Sequence, residues 1–308
     1  MQTDDRYEMI ISEEEQGERV DKWAAAAFPS QSRSFLQKLI ENEQLLVNGM
    51  KTKAGYKLRS GDEIELTIPE ATLPEIVSED IPLEILYEDE YLLVVNKPKG
   101  MVVHPAPGHY SGTLVNAALF HCAGDLSGIN GVLRPGVVHR IDRDTTGALV
   151  MCKNNRAHDH LAAQFQVHSI EREYRAIITG HMKESEGTIR GAIGRDPKNR
   201  LRMSINERNG KPAVTHYRVL EEFPGYSYIS CRLETGRTHQ IRVHFSSMGH
   251  PLLGDELYGG KVLKGKTQGQ CLHAMTLGFV HPESEEMICV TAPLPEYFER
   301  ILSDLRQT

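Results

Sequence analysis

The sequence predicts an α+β chain in two folded parts: a small α/β unit at the N-terminus, then a larger one on a mixed, mainly antiparallel sheet. Three observations carry that prediction. Residues 17–68 hold two amphipathic helical stretches followed by a hairpin pattern. From residue 85 to 308, strand patterns recur at close spacing with few helical stretches between them, which disfavours repeated βαβ units. Between the two lies PEATLPEIVSEDIPLE, residues 69–84, whose three prolines and run of acids read as a linker.

The elements follow in order. Residues 1–16 carry six acids against one Arg and read as an acidic tail. ERVDKWAAAAF places Val20, Trp23, Ala24 and Ala27 on one helical face. After Pro29, Ser30 or Ser32 offers an N-cap for a second helix, with Phe35, Leu36, Leu39 and Ile40 inward. LLVNGM is a strand entering a turn at Asn48-Gly49; a second turn at Gly61-Asp62 leads into an alternating strand with Ile64, Leu66 and Ile68. A unit of about 50 residues is barely large enough to fold alone. In the larger unit LEILYEDEYLLVVNKP, VVHRI, GALVMCK, EYRAIITG, SYISCRLETG and MICVTAP read as strands. TLVNAALFH, NRAHDHLAAQFQVH and THQIRVHFSSMG read as helices, and Pro224-Gly225 marks a turn.

Composition narrows the function classes. Over 308 residues, 40% are hydrophobic and 25% charged, an ordinary globular balance. No apolar run approaches the ~18 residues of a membrane span. The acidic N-terminus lacks the features of a signal peptide, and five cysteines at least 18 residues apart contain no CxxC pair. Both fit a reduced cytoplasmic setting. The net charge of −7 hides an uneven distribution: residues 1–16 contribute −5 and 69–90 contribute −8, whereas 17–68 are at +1 and 91–308 at +5. Within the last part, residues 131–245 hold 19 bases against 12 acids. Local field governs binding more than the global sum, so a nucleic-acid partner stays open.

Several motifs imitate known chemistry without its context. Residues 260–267, GKVLKGKT, match the P-loop pattern, but no strand pattern precedes them and poor helix formers follow. Asp142, Asp144, Thr146 and Gly147 resemble the start of a calcium loop, but Lys153 stands where a bidentate Glu is required. His158 and His160 are not spaced to share a helical face, and no HExxH occurs, so no metal is expected. Two constellations remain. In GVVHRIDRDTTGALVMCK, Asp142 lies between Arg140 and Arg143, and a carboxylate so flanked stays ionised and can act as nucleophile or anchor. The alternative is that Asp142 and Asp144 only form turn hydrogen bonds. In ETGRTHQIRVHF, Arg237, His239, Arg242 and His244 fall within eight residues, with Arg242 and His239 on one helical face. That set suits phosphates or a carboxylate such as Asp142, against the alternative of a solvated basic helix.

Four blocks in order, NKPKGMVVHP (96–105), HRIDRDTTG (139–147), EREYRAI (171–177) and TGRTHQIRVH (235–244), resemble the RluA/RluD family of RNA pseudouridine synthases. The resemblance spans about 80–308, and residues 17–68 look like an S4-type RNA-binding domain. The family usually has Leu and Ser where this chain has Ile141 and Thr146. The resemblance implies a pseudouridine synthase catalytic fold over 85–308, with Asp142 as the essential aspartate. Tyr174 would stack on the target uracil and assist proton removal, and Arg242, or with less support Arg237, would pair with the aspartate. His139, Arg140, Arg237 and His239 would bind substrate, while Arg33, Lys38 and Lys51 of the S4-like unit would contact RNA backbone. It further implies a cofactor-free isomerase acting on structured RNA, foremost 23S ribosomal RNA, as a cytoplasmic monomer with no protein partner and no membrane. A catalytically silent RNA-binding or ribosome-assembly factor is the rival reading, and Asp142 with Tyr174 speaks against it.

Overall fold

The computed structural model of the chain describes residues 5–29, 31, 33–68, 76–105, 109–129, 135–199, 201–263 and 265–307. It divides into two compact units, Met1–Pro74 and Glu75–Thr308.

The smaller unit comprises β1 (Asp5–Ile10), α1 (Val20–Ala27), α2 (Arg33–Glu41), β2 (Leu45–Val47), β3 (Met50–Lys51) and β4 (Glu63–Ile68). Its sheet runs in the order β1-β4-β2-β3, all antiparallel. Trp23, Leu36, Leu39 and Ile40 of the helices pack on Leu45, Ile64 and Leu66 of the sheet. Ala27 is exposed instead of facing this core, because the helix ends there and Phe28 packs in its place. The candidate caps Ser30 and Ser32 lie outside the described residues. The acidic N-terminus is not a tail throughout: residues 5–10 pair with β4, where Met9 packs against the core. A strand edge offers backbone partners that charge counting does not register.

The larger unit begins with β5 (Ile85–Glu88), β6 (Leu92–Lys97), α3 (Leu114–His121), β7 (Thr146–Cys152), α4 (Asn155–Gln166) and β8 (Glu171–Thr179). It continues with β9 (Glu186–Arg190), β10 (Ile193–Arg195), β11 (Met203–Ile205), β12 (Val214–Phe223) and β13 (Tyr226–Leu233). Helix α5 (Gln240–Ser247), β14 (Leu272–Val280), β15 (Met287–Thr291) and α6 (Glu296–Arg306) complete it. Nine strands form one sheet in the order β5-β6-β7-β14-β8-β13-β12-β9, with β15 on β14. Only β7–β14 is parallel, so the expected mixed, mainly antiparallel sheet is present. Gly147 makes that parallel contact possible: at φ 110, a Cβ there would stand 2.2 Å from the Ala274 carbonyl oxygen.

Strand β7 is buried along its whole length, as a central strand covered on both faces must be. Ala148 and Val150 face Ala157 and Leu161 of α4, while Leu149 and Met151 face Leu114, Val115 and Ala118 of α3. Helix α5 covers Ala176 and Ile178 of β8 through Ile241 and Phe245, and α6 covers Ile177 through Phe298 and Ile301. The cores under α3 and α5 meet at Tyr174.

Two further expectations are corrected. Residues 69–75 of the acidic linker lie outside the described residues, but 76–84 are fastened to the larger unit. Ile76 and Leu83 pack on its core, Glu79 accepts from the Gly112 N–H at 2.9 Å, and Val77 accepts from the Asn116 amide at 2.7 Å. The apolar residues between the acids hold the segment down. VVHRI is not a strand: residues 139–145 form an irregular segment. The Val150 N–H that a neighbouring strand would have paired is taken at 3.1 Å by the His139 imidazole.

Candidate active site

Residues 139–145, the face of β8 and the segment leading into α5 enclose a cavity of about 320 Å³. Asp142, Tyr174, Arg237, His239 and Arg242 line it together with His139 and Arg140. Residues separated by more than a hundred positions in the chain thus converge on one hollow.

The turn carrying Asp142 is fixed from beneath. Lys97, fully buried at the end of β6, donates to the carbonyls of Pro98 (2.8 Å), Met101 (2.9 Å) and Arg143 (3.0 Å). Burial pushes its ammonium down to about 7, although Asp144 and Asp142 work the other way. The Thr145 N–H donates to the Asp142 carbonyl at 3.1 Å, and Gln270 donates to the Thr145 hydroxyl at 3.1 Å.

Arg242 stands in the first turn of α5 and forks around two carboxylates. Its Nε and Nη2 donate to Asp255 at 2.7 and 2.8 Å, and Nη1 donates to Asp142 Oδ2 at 2.9 Å. Burial opposes the Arg242 charge, but the hydrogen bonds and charges of Asp255 and Asp142 more than offset it, holding its pKa above the ordinary arginine value. The Tyr258 ring lies 5.0 Å from the guanidinium, and its hydroxyl meets His239 Nδ1 at 2.8 Å. His239 caps α5 in the left-handed region at φ 58, so it precedes the helix instead of sharing its face with Arg242. Its Nε2 stops 3.7 Å from Asp142 Oδ1, too far for a hydrogen bond. Burial lowers the His239 pKa despite the Asp142 charge. Oδ2 is therefore clamped, and Oδ1, on a residue that lines the cavity, has no hydrogen-bond donor among the described residues. His244 points away, buried against the Thr215 hydroxyl at 3.0 Å.

Tyr174 sits on β8 between Cys231 and Ala274. Burial raises its phenol pKa, with the Arg172 charge acting against that and Asp142 for it. The phenol is thus protonated at neutral pH. His139 stacks on Phe165 at 4.6 Å, and its Nε2 accepts from Val150, which requires a neutral ring. Burial, helped by the Arg172 charge, pushes its pKa down to about 3, so it offers no cation to a phosphate. Because the unfolded imidazole titrates near 6.5, its contribution to stability is complete above that pH and is lost as pH falls toward 3. A plot of Tm against pH should rise through this window, and His139→Gln should flatten it; an unchanged slope would contradict the neutral, accepting ring.

Arg140 is exposed at the mouth of the cavity, and Arg237 donates to the Pro212 carbonyl at 3.0 Å. In the smaller unit the cations divide. Arg33 is turned onto the buried Asp21 at 2.8 Å, beside Gln37 at 2.7 Å and Arg19 at 3.0 Å. Burial would raise the Asp21 pKa, but these donors hold it well below the usual carboxylate range. Lys51 pairs with Glu43 at 3.2 Å on the surface, and Lys38 is exposed. The P-loop-like stretch follows a short 3-10 turn (Glu256–Tyr258), and Lys266 pairs with Asp304 at 2.7 Å; Lys264 lies outside the described residues.

Sequence reasoning missed Asp255, Tyr258, Phe165 and Arg172. A bidentate arginine needs a second carboxylate, and GDELYG supplies one, but nothing in the spacing tells which acid folds back to it.

The sequence model described as RNA pseudouridylate synthase matches residues 91–247, and that of the S4 domain matches 18–64. The chain belongs to the RNA pseudouridine synthase family. It is an isomerase with an S4 domain at its N-terminus. It is 47% identical over 305 residues to the "Uncharacterized RNA pseudouridine synthase YlyB" of Bacillus subtilis, covering 98% of this chain and 99% of that one. It is 47% identical over 302 residues to the "Ribosomal large subunit pseudouridine synthase D" of Zymomonas mobilis, covering 94% of each. Among solved structures, "Human RNA Pseudouridylate Synthase Domain Containing 1" superposes with a TM-score of 0.57 at 28% identity, over 75% of this chain and 97% of that one. Among the described residues no helix is long and apolar enough to cross a membrane.

Proposed function

We infer that this enzyme converts uridines of large-subunit (23S) ribosomal RNA to pseudouridine, with Asp142 as nucleophile and no cofactor. The observation that carries the reading is the Arg242 fork: it holds Asp142 Oδ2 and leaves Oδ1 without a hydrogen bond, on a residue that lines a cavity walled by Tyr174. The S4 domain and the name of the Zymomonas relative support a ribosomal substrate.

In this mechanism Oδ1 attacks ribose C1′, and uracil departs with the N1–C1′ bonding pair. The detached base turns within the cavity, C5 bonds C1′, and the carboxylate leaves. The C5 proton is lost and N1 gains one, so substrate and product are isomers and no external electron carrier takes part. The Tyr174 ring supplies a stacking face for a base extruded from folded RNA. Its protonated phenol is no ready base, which favours stacking over proton removal as its main part. Arg140 and Arg237 at the rim, with Lys38 and Lys51 of the S4 domain, meet phosphates; Arg33, engaged by Asp21, is better suited to holding that domain together. The enzyme is expected to act as a monomer in the cytoplasm.

The test is mass spectrometry of unmodified 23S ribosomal RNA incubated with the protein, both free and in assembling large-subunit particles. New pseudouridine at defined positions is expected. No product on either substrate, with RNA still bound, would overturn the reading in favour of a silent binding factor.

A further inference from the structure

Arg172 is a buried cation that the mechanism above does not use. It lies two residues before Tyr174 on β8, on the same face of the strand, and is only 8% exposed. Its Nη2 donates to the Glu234 carbonyl at 3.2 Å. Its Nε has no acceptor, and no carboxylate among the described residues lies within ion-pair distance. Buried charges are ordinarily paired, because an isolated one loses its hydration without compensation. Burial depresses the Arg172 pKa, Tyr174 acts the other way, and the neighbouring charge of Arg237 adds to the depression; the Phe165 ring 5.8 Å away is its other close partner, and an anion at this point would relieve the burial and the repulsion.

The placement says which anion. Arg172 borders the Asp142 cavity and also a second hollow, lined by His168, His216 and Arg232 together with Glu171 and Glu234. Arg172, His168 and Leu233 are common to both, and so form the partition between them. A polynucleotide with one base in the first hollow must carry its backbone out past a wall of that hollow. Gly236 lets the guanidinium stand there: a Cβ at that position would lie 2.5 Å from Arg172 Nη1.

We propose that Arg172 is an internal phosphate seat, holding the phosphodiester that joins the target nucleotide to its neighbour where the RNA passes from the Asp142 cavity into the adjoining hollow. This rests on the reading of that cavity as the uridine site. An arginine fork matches a phosphate with two parallel hydrogen bonds. Seating the backbone at this depth fixes the ribose against Asp142, whereas rim cations only raise the local RNA concentration.

The test reads binding, so its failure is separable from failure of the catalytic reading. Transcribed, unmodified 23S ribosomal RNA is titrated with wild type, Arg172→Met and Arg172→Lys over a series of KCl concentrations. Removing the cation from one phosphate should reduce the slope of log K against log [KCl] by about 0.7–0.9, with about a tenfold loss of affinity. Arg172→Lys should keep the slope. If Arg172→Met does not fold, Arg172→Gln, which also removes the cation, takes its place under the same criterion. A folded Arg172→Met or Arg172→Gln protein with the wild-type slope overturns the phosphate seat. Absence of pseudouridine from the wild-type reaction would instead strike the catalytic reading and leave the slope interpretable.

Discussion

Asp142→Asn is expected to lower pseudouridine formation by about 10⁴-fold or more, the scale seen when a covalent nucleophile is removed, while the protein folds and binds RNA as before. The substitution keeps the shape of the side chain and an oxygen that can accept from Arg242 Nη1. Arg242 itself stays anchored, because two of its three carboxylate hydrogen bonds go to Asp255. The Asp142 side chain is 19% exposed, so the loss of its charge is cushioned by solvent and Tm should move little. Single-turnover assays on unmodified 23S RNA, with a melt and a binding curve on the same preparation, separate the possibilities. A variant that turns over at the wild-type rate would remove Asp142 from the covalent step. A variant that loses activity together with RNA binding would make Asp142 a structural anchor of its turn, the role that Asp commonly plays in such loops.

What the sequence made legible depended on how local the physical signal was. Helices α3, α4 and α5 lie where the helical patterns placed them, and the turns at Asn48-Gly49 and Gly61 have the positive φ that their residues permit. The hydrophobic pattern could not reveal β1, which lies in an acidic stretch and pairs by its backbone with β4, with Met9 packing against the core. Nor could it show that VVHRI stays irregular, since an imidazole replaces a ladder partner there. Asp142, Tyr174 and Arg242 were legible through motif resemblance, and the fold brings them to one cavity. Asp255 and Arg172 were not. Each acts through a long-range relation, one as the second jaw of an arginine clamp and the other as a cation without a carboxylate partner, and neither relation has a fixed spacing.

The clamp itself leads to the second large effect. Asp255 is 1% exposed and receives Nε and Nη2 of Arg242, whose side chain is 8% exposed. Attraction between buried charges offsets their desolvation only while both are present, and breaking such a pair typically costs about 3–5 kcal/mol. Asp255→Ala is therefore expected to destabilise the protein by about that much. Asp255→Asn, which keeps one accepting oxygen, should cost less. The catalytic consequence follows from geometry. With Asp255 intact, the guanidinium plane is set by two hydrogen bonds and Nη1 has one position, 2.9 Å from Asp142 Oδ2. With Asn there, the fork loses a jaw and the nucleophile loses its fixed partner, so kcat should fall by about 10²-fold, the penalty for misplacing a reacting group by an ångström, with KM little changed. Arg242→Lys should show the complementary defect. A lysine keeps the charge but not the fork, so it can serve Asp142 or Asp255 but cannot hold both in register. Urea unfolding of the three variants, set beside their kcat and KM, decides the matter. A loss of stability in Asp255→Asn with kcat intact would confine the clamp to holding the fold; a fall in kcat at near-native stability would show that Asp255 positions the arginine that positions Asp142.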